Sequence, residues 1–337
     1  MPTVSVIVPN YNHAGYLKRR VDSILGQTFQ DFEVIVLDDC STDESRSILQ
    51  GYASEARVRL EFNEVNSGSA FKQWNKGLRL AYGKYVWIAE SDDYARPDFL
   101  ARLVPILQSD PSVTLAYCRS LCVSASDAVL GFADSIYFQR FDTGRWGHDF
   151  CVDGSDECRK SLIRYNTIPN ASAVLFRKET GERVGGADET MRLCGDWKLW
   201  SAIALEGKVA YISEPLNYYR VHETSITRTV DFAKVHVQEW LRITRWMLER
   251  VKPQQDVLES VLDNHAHRWV PAVLSMRVPL QTKVEILRLV RAIDPHPMRR
   301  VLRPIVNTVR LKIKRHAGVT NARRPSRAIK QEPRNFA

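Results

Sequence analysis

Residues 4–12 read VSVIVPNYN, and residues 32–39 read FEVIVLDD. Both stretches consist mainly of apolar, β-branched residues and end in polar ones. Such apolar runs are typical of strands that are buried on both faces of a parallel sheet. Between them, residues 15–25 carry apolar side chains at helical spacing. The order strand, helix, strand predicts an α/β domain whose sheet is largely parallel.

The alternation of strands and helices continues to about residue 120 and then weakens. Further strands are predicted at 58–62, 85–89, 113–118, 171–176 and 209–212, and further helices at 69–82, 97–107 and 197–205. Residues 124–170 have no regular pattern, and the chain is mostly helical in pattern after about residue 231. The organisation predicted is an α/β domain followed by a helical part.

The charge of the chain is concentrated at one end. The 337 residues carry a formal net charge of +9, yet residues 295–337 contain twelve basic residues and one acidic residue. The remainder is nearly neutral. A basic tail is typical of a protein that meets an anionic membrane surface, and it also fits a solvated tail. Nucleic acid is disfavoured because the tail has one aromatic residue, Phe336, on which a base could stack.

Composition and cysteine spacing narrow the class of protein. The content of 44% hydrophobic and 26% charged residues excludes a mainly disordered or collagen-like chain. The six cysteines form no CxxC pair and no zinc-binding spacing, which fits free thiols in a reducing cytosol. We find no signal peptide and no apolar run of the ~20 residues that a membrane span needs. The expected location is the cytoplasm or the cytoplasmic face of the plasma membrane.

Three predicted strands end in polar residues, at 9–12, 38–39 and 91–93. Ligands of parallel α/β sheets bind beyond the carboxyl ends of the strands. Adjacent carboxylates such as Asp92 and Asp93 repel each other unless a cation lies between them. Mg²⁺ or Mn²⁺ bound to a diphosphate would explain the pair. The alternative is that they cap the helix predicted near Pro97.

Other polar residues have a functional and a structural interpretation. Asp39 can accept hydrogen bonds from a base or a ribose, or it can cap the following helix. Lys72 can meet a phosphate at a helix start, or it can be a solvated lysine. His222 can bind a metal or a phosphate, or it can be a structural histidine.

Asp196 lies in the stretch CGDWKLW, residues 194–200. Trp197 and Trp200 are three residues apart and share one face of the predicted helix. Burial beside them raises the pKa of a carboxyl group, whereas the helix N-terminus lowers it. A carboxylate between these influences can act as a general base. The alternative is an N-cap residue above a pair of core tryptophans.

Taken together, these motifs resemble those of family 2 glycosyltransferases. The resemblance rests on VSVIVPNYN (4–12), SILGQTF (23–29), FEVIVLDDCSTD (32–43), NSG (66–68), WNKGL (74–78), GKY (83–85) and SDD (91–93). It continues more thinly through GDW (195–197) to the pattern YRVHETS (219–225). It implies a GT-A fold with a mixed, mostly parallel sheet, a nucleotide-diphospho-sugar donor, a divalent metal and inversion at the anomeric carbon.

The resemblance also implies roles for individual residues. The nucleotide sugar, for which UDP is favoured and dTDP or GDP are alternatives, is expected to contact Pro9, Tyr11, Asp39, Lys72 and Asp92. The expected metal ligands are Asp93 and His222, the expected general base is Asp196, and the expected acceptor contacts are Asn170 and Trp197. Two positions depart from the family pattern. Cys40 stands where Gly or Asn is usual, which we expect to be without consequence, and Gly195 stands where many members have Glu.

The predicted domains are a GT-A catalytic domain at 1–230, a helical extension at 231–320 and a disordered basic tail at 321–337. Apolar residues at helical spacing among basic ones over 301–315 resemble an amphipathic helix at a membrane surface. A helix docked on the catalytic domain is the alternative. A membrane location would suit an acceptor that is linked to polyprenyl lipid or belongs to a growing cell-surface glycan. A non-catalytic relative that only binds nucleotide sugar is the main rival function.

Overall fold

The computed structural model of the protein describes residues 1–137, 144–223 and 232–301. The first half alternates as predicted. Its elements are β1 (Val4–Asn10), α1 (Ala14–Leu25), β2 (Phe32–Asp38), α2 (Ser45–Gln50), β3 (Val58–Phe62), α3 (Ala70–Leu80), β4 (Tyr85–Ile88), β5 (Tyr94–Ala95), α4 (Phe99–Ser109) and β6 (Val113–Ser124).

The second half has longer connections. Its elements are β7 (Val129–Phe132), α5 (Ala133–Tyr137), β8 (Phe150–Asp153), α6 (Gly154–Glu157), β9 (Val174–Arg177), α7 (Lys178–Arg183), α8 (Gly195–Ala204), β10 (Lys208–Val221), α9 (Phe232–Leu248), α10 (Gln255–Leu274) and α11 (Leu280–Ile293). The last strand is much longer than the predicted 209–212 and ends one residue before His222.

One mixed sheet runs through the α/β domain in the order β3-β2-β1-β4-β9-β6-β10-β5, with β7 beside β6 and β8 beside β10. Strands β1 to β4 pair in parallel, and so do β6 and β10. Strand β9 runs antiparallel between β4 and β6. The predicted mixed α/β sheet is confirmed. Its parallel first part brings the carboxyl ends of β1, β2 and β4 to one edge.

Both faces of this sheet are covered, which explains the continuous apolar runs. Val4, Val6 and Val8 contact the cluster that includes α1 and α4, whereas Ile7 contacts the cluster that includes α3 and α8. All four side chains are fully buried. Burying a side chain of this size stabilises the fold by about 1.5–3 kcal/mol. Packing on two faces therefore determines the position of β1 and the edge at which it ends.

The C-terminal helices join the α/β domain through α9 and the first half of α10, which contributes Val257 and Val261. Trp240, Ile243 and Met247 of α9 belong to the same buried cluster as Trp197 and Trp200 of α8. A separate small core holds α9, α10 and α11 together. None of the helices in the described ranges is both long and apolar enough to cross a membrane. The boundary predicted at 230, the amphipathic helix predicted at 301–315 and the tail at 321–337 lie wholly or largely outside the described residues.

Candidate active site

A cavity of about 480 Å³ opens at the carboxyl ends of β1, β2 and β4. This is the edge at which the sequence predicts ligand binding. The cavity is lined by Pro9, Asn10, Tyr11, His13, Asp39, Asn66, Gly68, Ser69, Ala70, Gln73, Glu90, Ser91, Asp92, Asp93, Asn170 and Tyr219. The cavity thus brings together six residues that were predicted to contact the nucleotide sugar, the metal or the acceptor: Pro9, Tyr11, Asp39, Asp92, Asp93 and Asn170. Of these, Tyr11 is 46% exposed.

Asp39 is held in place by donors from the following loop and helix. Its Oδ1 accepts hydrogen bonds from Asn63 Nδ2 (2.6 Å), the Ser67 amide (2.9 Å) and Gln73 Nε2 (2.9 Å). Its Oδ2 accepts one from Ser67 Oγ (2.7 Å). A carboxylate has about four acceptor positions over its two oxygens, so Oδ2 retains acceptor capacity towards the cavity. All four of these hydrogen bonds come from neutral groups.

Cys40 follows Asp39 in a left-handed backbone conformation, with φ of 62°. Glycine and asparagine adopt this conformation more readily than other residues. The expectation that Cys40 is without consequence stays a prediction, and the structure adds that a residue with a Cβ occupies a conformation that favours glycine.

Asp92 forms a cluster with two histidines. Its Oδ2 lies 2.9 Å from His222 Nε2, at the end of β10, and the rings of His222 and His13 are 5.6 Å apart. One ligand atom from each of the three residues lies within 4.8 Å of the others. Burial raises the pKa of Asp92, but the hydrogen bond from His222 and the nearby His13 bring it below the ordinary value. Two imidazole nitrogens and a carboxylate oxygen are ligands for divalent transition-metal ions.

Asp93 points away from this cluster. Its Oδ1 accepts a hydrogen bond from the Arg220 amide (2.8 Å), and its Oδ2 accepts one from Asn170 Nδ2 (2.9 Å). Burial, followed by the charge of Asp92, raises the pKa of Asp93 to about 6. Asn170 is itself buried and accepts a hydrogen bond from Asn217. The structure thus brings His222 to Asp92, and not to Asp93 as the sequence predicts.

The residues of this cavity that sequence reasoning missed include two ionisable ones, His13 and Glu90. Glu90 accepts a hydrogen bond from the indole of Trp74 (2.8 Å), and burial, with the charges of Asp92 and Asp93, raises its pKa to about 8. Both residues follow the end of a strand at the same edge, which is the signal that could have identified them. Glu90 directly precedes the predicted Ser91-Asp92-Asp93 motif.

Asp196 lies in the first turn of α8, as predicted. Its Oδ2 accepts a hydrogen bond from Asn166 Nδ2 (2.9 Å). Burial raises the pKa of this carboxyl group to about 7, and the charge of Glu239 acts in the same direction. The hydrogen bonds from Asn166 and the Trp197 amide lower it. A carboxyl group with this pKa is half ionised near neutral pH, where a general base is effective.

Glu239 of α9 holds the chain that leads into α8. Its carboxylate accepts hydrogen bonds from three successive backbone amides, those of Arg192 (2.7 Å), Leu193 (3.0 Å) and Cys194 (2.8 Å). The next residue, Gly195, lies against Phe71, and a Cβ built at this position would be 2.7 Å from the ring. A side chain at position 195 would therefore require Phe71 to move.

Two predicted contact residues, Trp197 and Lys72, differ in their placement from the prediction. Trp197 is 1% exposed, and its indole donates a hydrogen bond to the Leu162 carbonyl (2.9 Å), so it packs in the core and presents no surface to an acceptor. Lys72 is exposed on α3 and donates to the Ser67 carbonyl (3.3 Å). Neither residue lines the cavity described above, and the same is true of Asp196 and of His222, which reaches the cavity through Asp92.

Acidic side chains around a cavity at the carboxyl ends of parallel strands are typical of an α/β protein that binds a nucleotide. The model of glycosyl transferase family 2 matches residues 5–147. The putative teichuronic acid biosynthesis glycosyltransferase TuaG of Bacillus subtilis is 30% identical over 229 residues, which are 67% of this chain and 82% of that protein. The chain belongs to glycosyl transferase family 2. It spans 65% and 66% of the length of two other curated glycosyltransferases that it matches.

Solved structures confirm the fold. TarS of Staphylococcus aureus, residues 1–349 in complex with UDP-GlcNAc, has a TM-score of 0.68 and 20% identity, and the match covers 92% of this chain and 88% of that one. The mannosyltransferase PcManGT of Pyrobaculum calidifontis, in complex with GDP-Man and Mn²⁺, has a TM-score of 0.55 and 20% identity, covering 86% and 74%. The predicted GT-A fold is therefore confirmed.

Proposed function

We propose that this protein transfers a sugar, with inversion, from a nucleoside-diphosphate sugar to an acceptor hydroxyl. The observation that carries the proposal is the cavity at the strand ends, which is lined by Asp39 and by Asp92, the partner of His222. Pro9 and Tyr11 pack against the base, and Asp39 accepts hydrogen bonds from it or from the ribose. Lys72 directly precedes the cavity-lining residue Gln73 on α3. Its exposed side chain contacts the nucleotide when it turns towards the cavity.

Asp196 is the proposed general base. It accepts the proton of the acceptor hydroxyl as that oxygen attacks the anomeric carbon and the bond from this carbon to the diphosphate oxygen breaks. The hydrogen bond from Asn166 orients its carboxylate, and burial raises its pKa towards neutrality. Positioning of this kind, with a base of matched pKa, contributes about 10²–10⁴-fold to a rate.

Asp92, His222 and His13 are the residues that fit a divalent cation, because their ligand atoms converge. A bound Mn²⁺ or Mg²⁺ would supply positive charge that stabilises the diphosphate as it leaves. We assign the carboxylate ligand to Asp92 in place of the predicted Asp93, since Asp92 Oδ2 lies 2.9 Å from His222 Nε2 whereas the carboxylate of Asp93 is bonded to the Arg220 amide and Asn170. In this proposal Asn170 orients Asp93 through its hydrogen bond. Contact between Asn170 and the acceptor remains a prediction.

The proposed acceptor is a lipid-linked or growing cell-surface glycan, and the proposed location is the cytoplasmic face of the membrane. The name of TuaG, which refers to teichuronic acid biosynthesis, supports a role in the synthesis of surface polymers. UDP is the favoured nucleotide, as in the UDP-GlcNAc complex of TarS, and dTDP and GDP are the alternatives.

A thermal-shift panel tests donor binding. UDP, dTDP and GDP are added to the full chain, each with and without Mn²⁺. A ligand at 100 times its Kd stabilises the folded state by about 2.7 kcal/mol, so we expect one nucleotide with Mn²⁺ to raise Tm by several degrees. The Asp39→Asn variant should lose most of this shift, whereas Asp98→Asn, at an acid outside the cavity, should retain it. No shift with any nucleotide and Mn²⁺ would overturn the proposed donor site.

Titration of Mn²⁺, followed by the electron paramagnetic resonance of the free ion, tests the ligand assignment. We expect Asp92→Asn and His222→Ala to lower the Mn²⁺ affinity by about 100-fold, and Asp93→Asn by less than about tenfold. The reverse order would return the assignment to Asp93.

A further inference from the structure

The turn between α10 and α11 exposes large apolar side chains. Met276 in the turn is 97% exposed, and Leu274 and Leu280 on its two sides are 74% and 77% exposed. Single apolar residues are common on protein surfaces, but a contiguous group usually marks an interaction site. These residues are close in the chain and lie on one turn, so they form a group.

The group continues along α11. Val284 and Leu287 follow Leu280 at intervals of four and three residues, so the three side chains form one stripe along the helix. Leu280 is 77% exposed, Val284 40% and Leu287 39%. The core of the helical part is contacted by a different stripe, which contains Ile286, Val290 and Ile293. Helix α11 therefore has two apolar faces, of which the described part of the chain covers one.

Arginines border the exposed stripe. Arg277 precedes α11, Arg288 and Arg291 follow along the same side of the helix, and all three are exposed. None of them has an ion pair with another described residue, whereas Arg245 and Arg300 of the same helical part do. We call these arginines, with the exposed apolar residues, the apolar–arginine face: Leu274, Met276, Arg277, Leu280, Val284, Leu287, Arg288 and Arg291.

We propose that the apolar–arginine face docks the protein on an anionic lipid bilayer. The apolar side chains enter the boundary between headgroups and acyl chains, and the arginines contact lipid phosphates. This inference rests on the membrane location in the proposed function and deepens it by naming the surface. A lysine or arginine near such a membrane contributes about 1 kcal/mol to binding.

The charge of residues 302–337 indicates that the partner of this face is an anionic lipid surface and not that segment of the chain. Residues 302–337 contain ten basic residues and one acidic residue. Their positive charge repels the arginines of the face and does not complement them. An anionic bilayer attracts both, so the two basic regions act in the same direction.

Flotation of the full chain with vesicles tests the proposal without donor, acceptor or metal. The vesicles are phosphatidylcholine with or without 30% phosphatidylglycerol, ~30% being enough for a negative surface potential. We expect flotation with the anionic vesicles only. The triple variant Leu280→Ser, Val284→Ser, Leu287→Ser should lower the partition coefficient at least about tenfold, because it removes the apolar anchors.

The matched control removes three exposed apolar side chains elsewhere, with Tyr82→Ser, Val129→Ser and Leu130→Ser, and should bind as the unmodified protein does. Replacing Arg288 and Arg291 by Gln should lower partition about fivefold for each arginine. All these positions are exposed, and the thermal shift with nucleotide shows whether each variant is folded.

Equal flotation of the apolar variant and its control would overturn the proposal. The proposal would also be overturned if flotation were lost only in a variant with Arg310, Lys312, Lys314 and Arg315 replaced by Gln. In that case the tail alone would bind lipid. If sedimentation velocity shows a dimer that the apolar variant converts to a monomer while flotation is unchanged, the face binds a second copy of this chain instead. Each of these results leaves the donor site unaffected, since that site is measured by nucleotide binding.

Discussion

The strand ends and the first turn of α8 hold their carboxylates in different ways. Asp39 is bound by Asn63, Ser67 and Gln73, all within 34 residues of it in the chain. Asp196 depends on Asn166 and on Glu239 of the helical part. The nucleotide side of the site is thus built within one α/β unit, whereas the proposed base is oriented and tuned by distant segments. Changes in the helical part should affect proton transfer more than nucleotide binding.

The largest expected effect is that of Asp196→Asn, which removes the proposed base and keeps the shape of the side chain. We expect kcat for release of nucleoside diphosphate to fall about 10³-fold while nucleotide affinity changes less than about threefold. Asp188→Asn, at an acid paired with Lys198 before the same helix, is the control. Nearly full activity in Asp196→Asn would show that another group accepts the proton.

Glu239→Gln tests the dependence on the helical part. The amide can accept hydrogen bonds through one atom only, so some of the three backbone amides lose their partner. We expect the free energy of unfolding to fall by about 2 kcal/mol, measured in urea. Glu249→Gln, at an exposed ion pair in the turn after α9, should cost less than about 0.5 kcal/mol. Equal effects of the two changes would mean that Glu239 does not secure this segment.

The pH profile should carry the signature of Asp196. A base acts in its ionised form, so kcat/KM should rise with pH through an acid limb near pH 7, and activity at pH 6 should be about a tenth of the plateau. Asn166→Ala removes a hydrogen bond that lowers the pKa of Asp196 and should move the limb to higher pH. Glu239→Gln removes a negative charge that raises this pKa and should move the limb to lower pH. Shifts in the same direction, or none, would contradict the assignment of the limb to Asp196.

The smallest expected effect is a change in the free energy of unfolding at Cys40, which lies next to Asp39 at the end of β2. Cys40→Gly relieves the left-handed backbone at φ of 62° and should raise the free energy of unfolding by up to about 1 kcal/mol. Ala53→Gly, in a turn without this constraint, should not stabilise. A loss of stability in Cys40→Gly would indicate that the contact of its thiol with the Glu64 carbonyl outweighs the strain.

Much of the α/β domain could be predicted because its signals are local. The apolar runs at 3–8 and 32–37 predict strands within two residues of the observed bounds, and the polar residues after them lie around the cavity. The length of β10 could not be predicted, because Ser213, Glu214 and Asn217 interrupt its apolar pattern. Ser213 and Glu214 lie at an irregularity between the pairs Ile212–Cys118 and Pro215–Arg119, and the strand continues beyond it because Asn217 and the residues after it pair with β6 and β5.

The chain alone thus specifies the edge of the sheet at which ligands bind and the carboxylates that lie there, since a strand and the residue after it are neighbours in sequence. Only tertiary structure selects Asp92 over Asp93 as the partner of His222, 130 residues away. It likewise places His13 beside them and Glu239 behind the segment of Asp196. Asp92 and Asp93 lie between β4 and β5, outside both strands, and the elements packed around them determine which acid meets a histidine and which meets an amide.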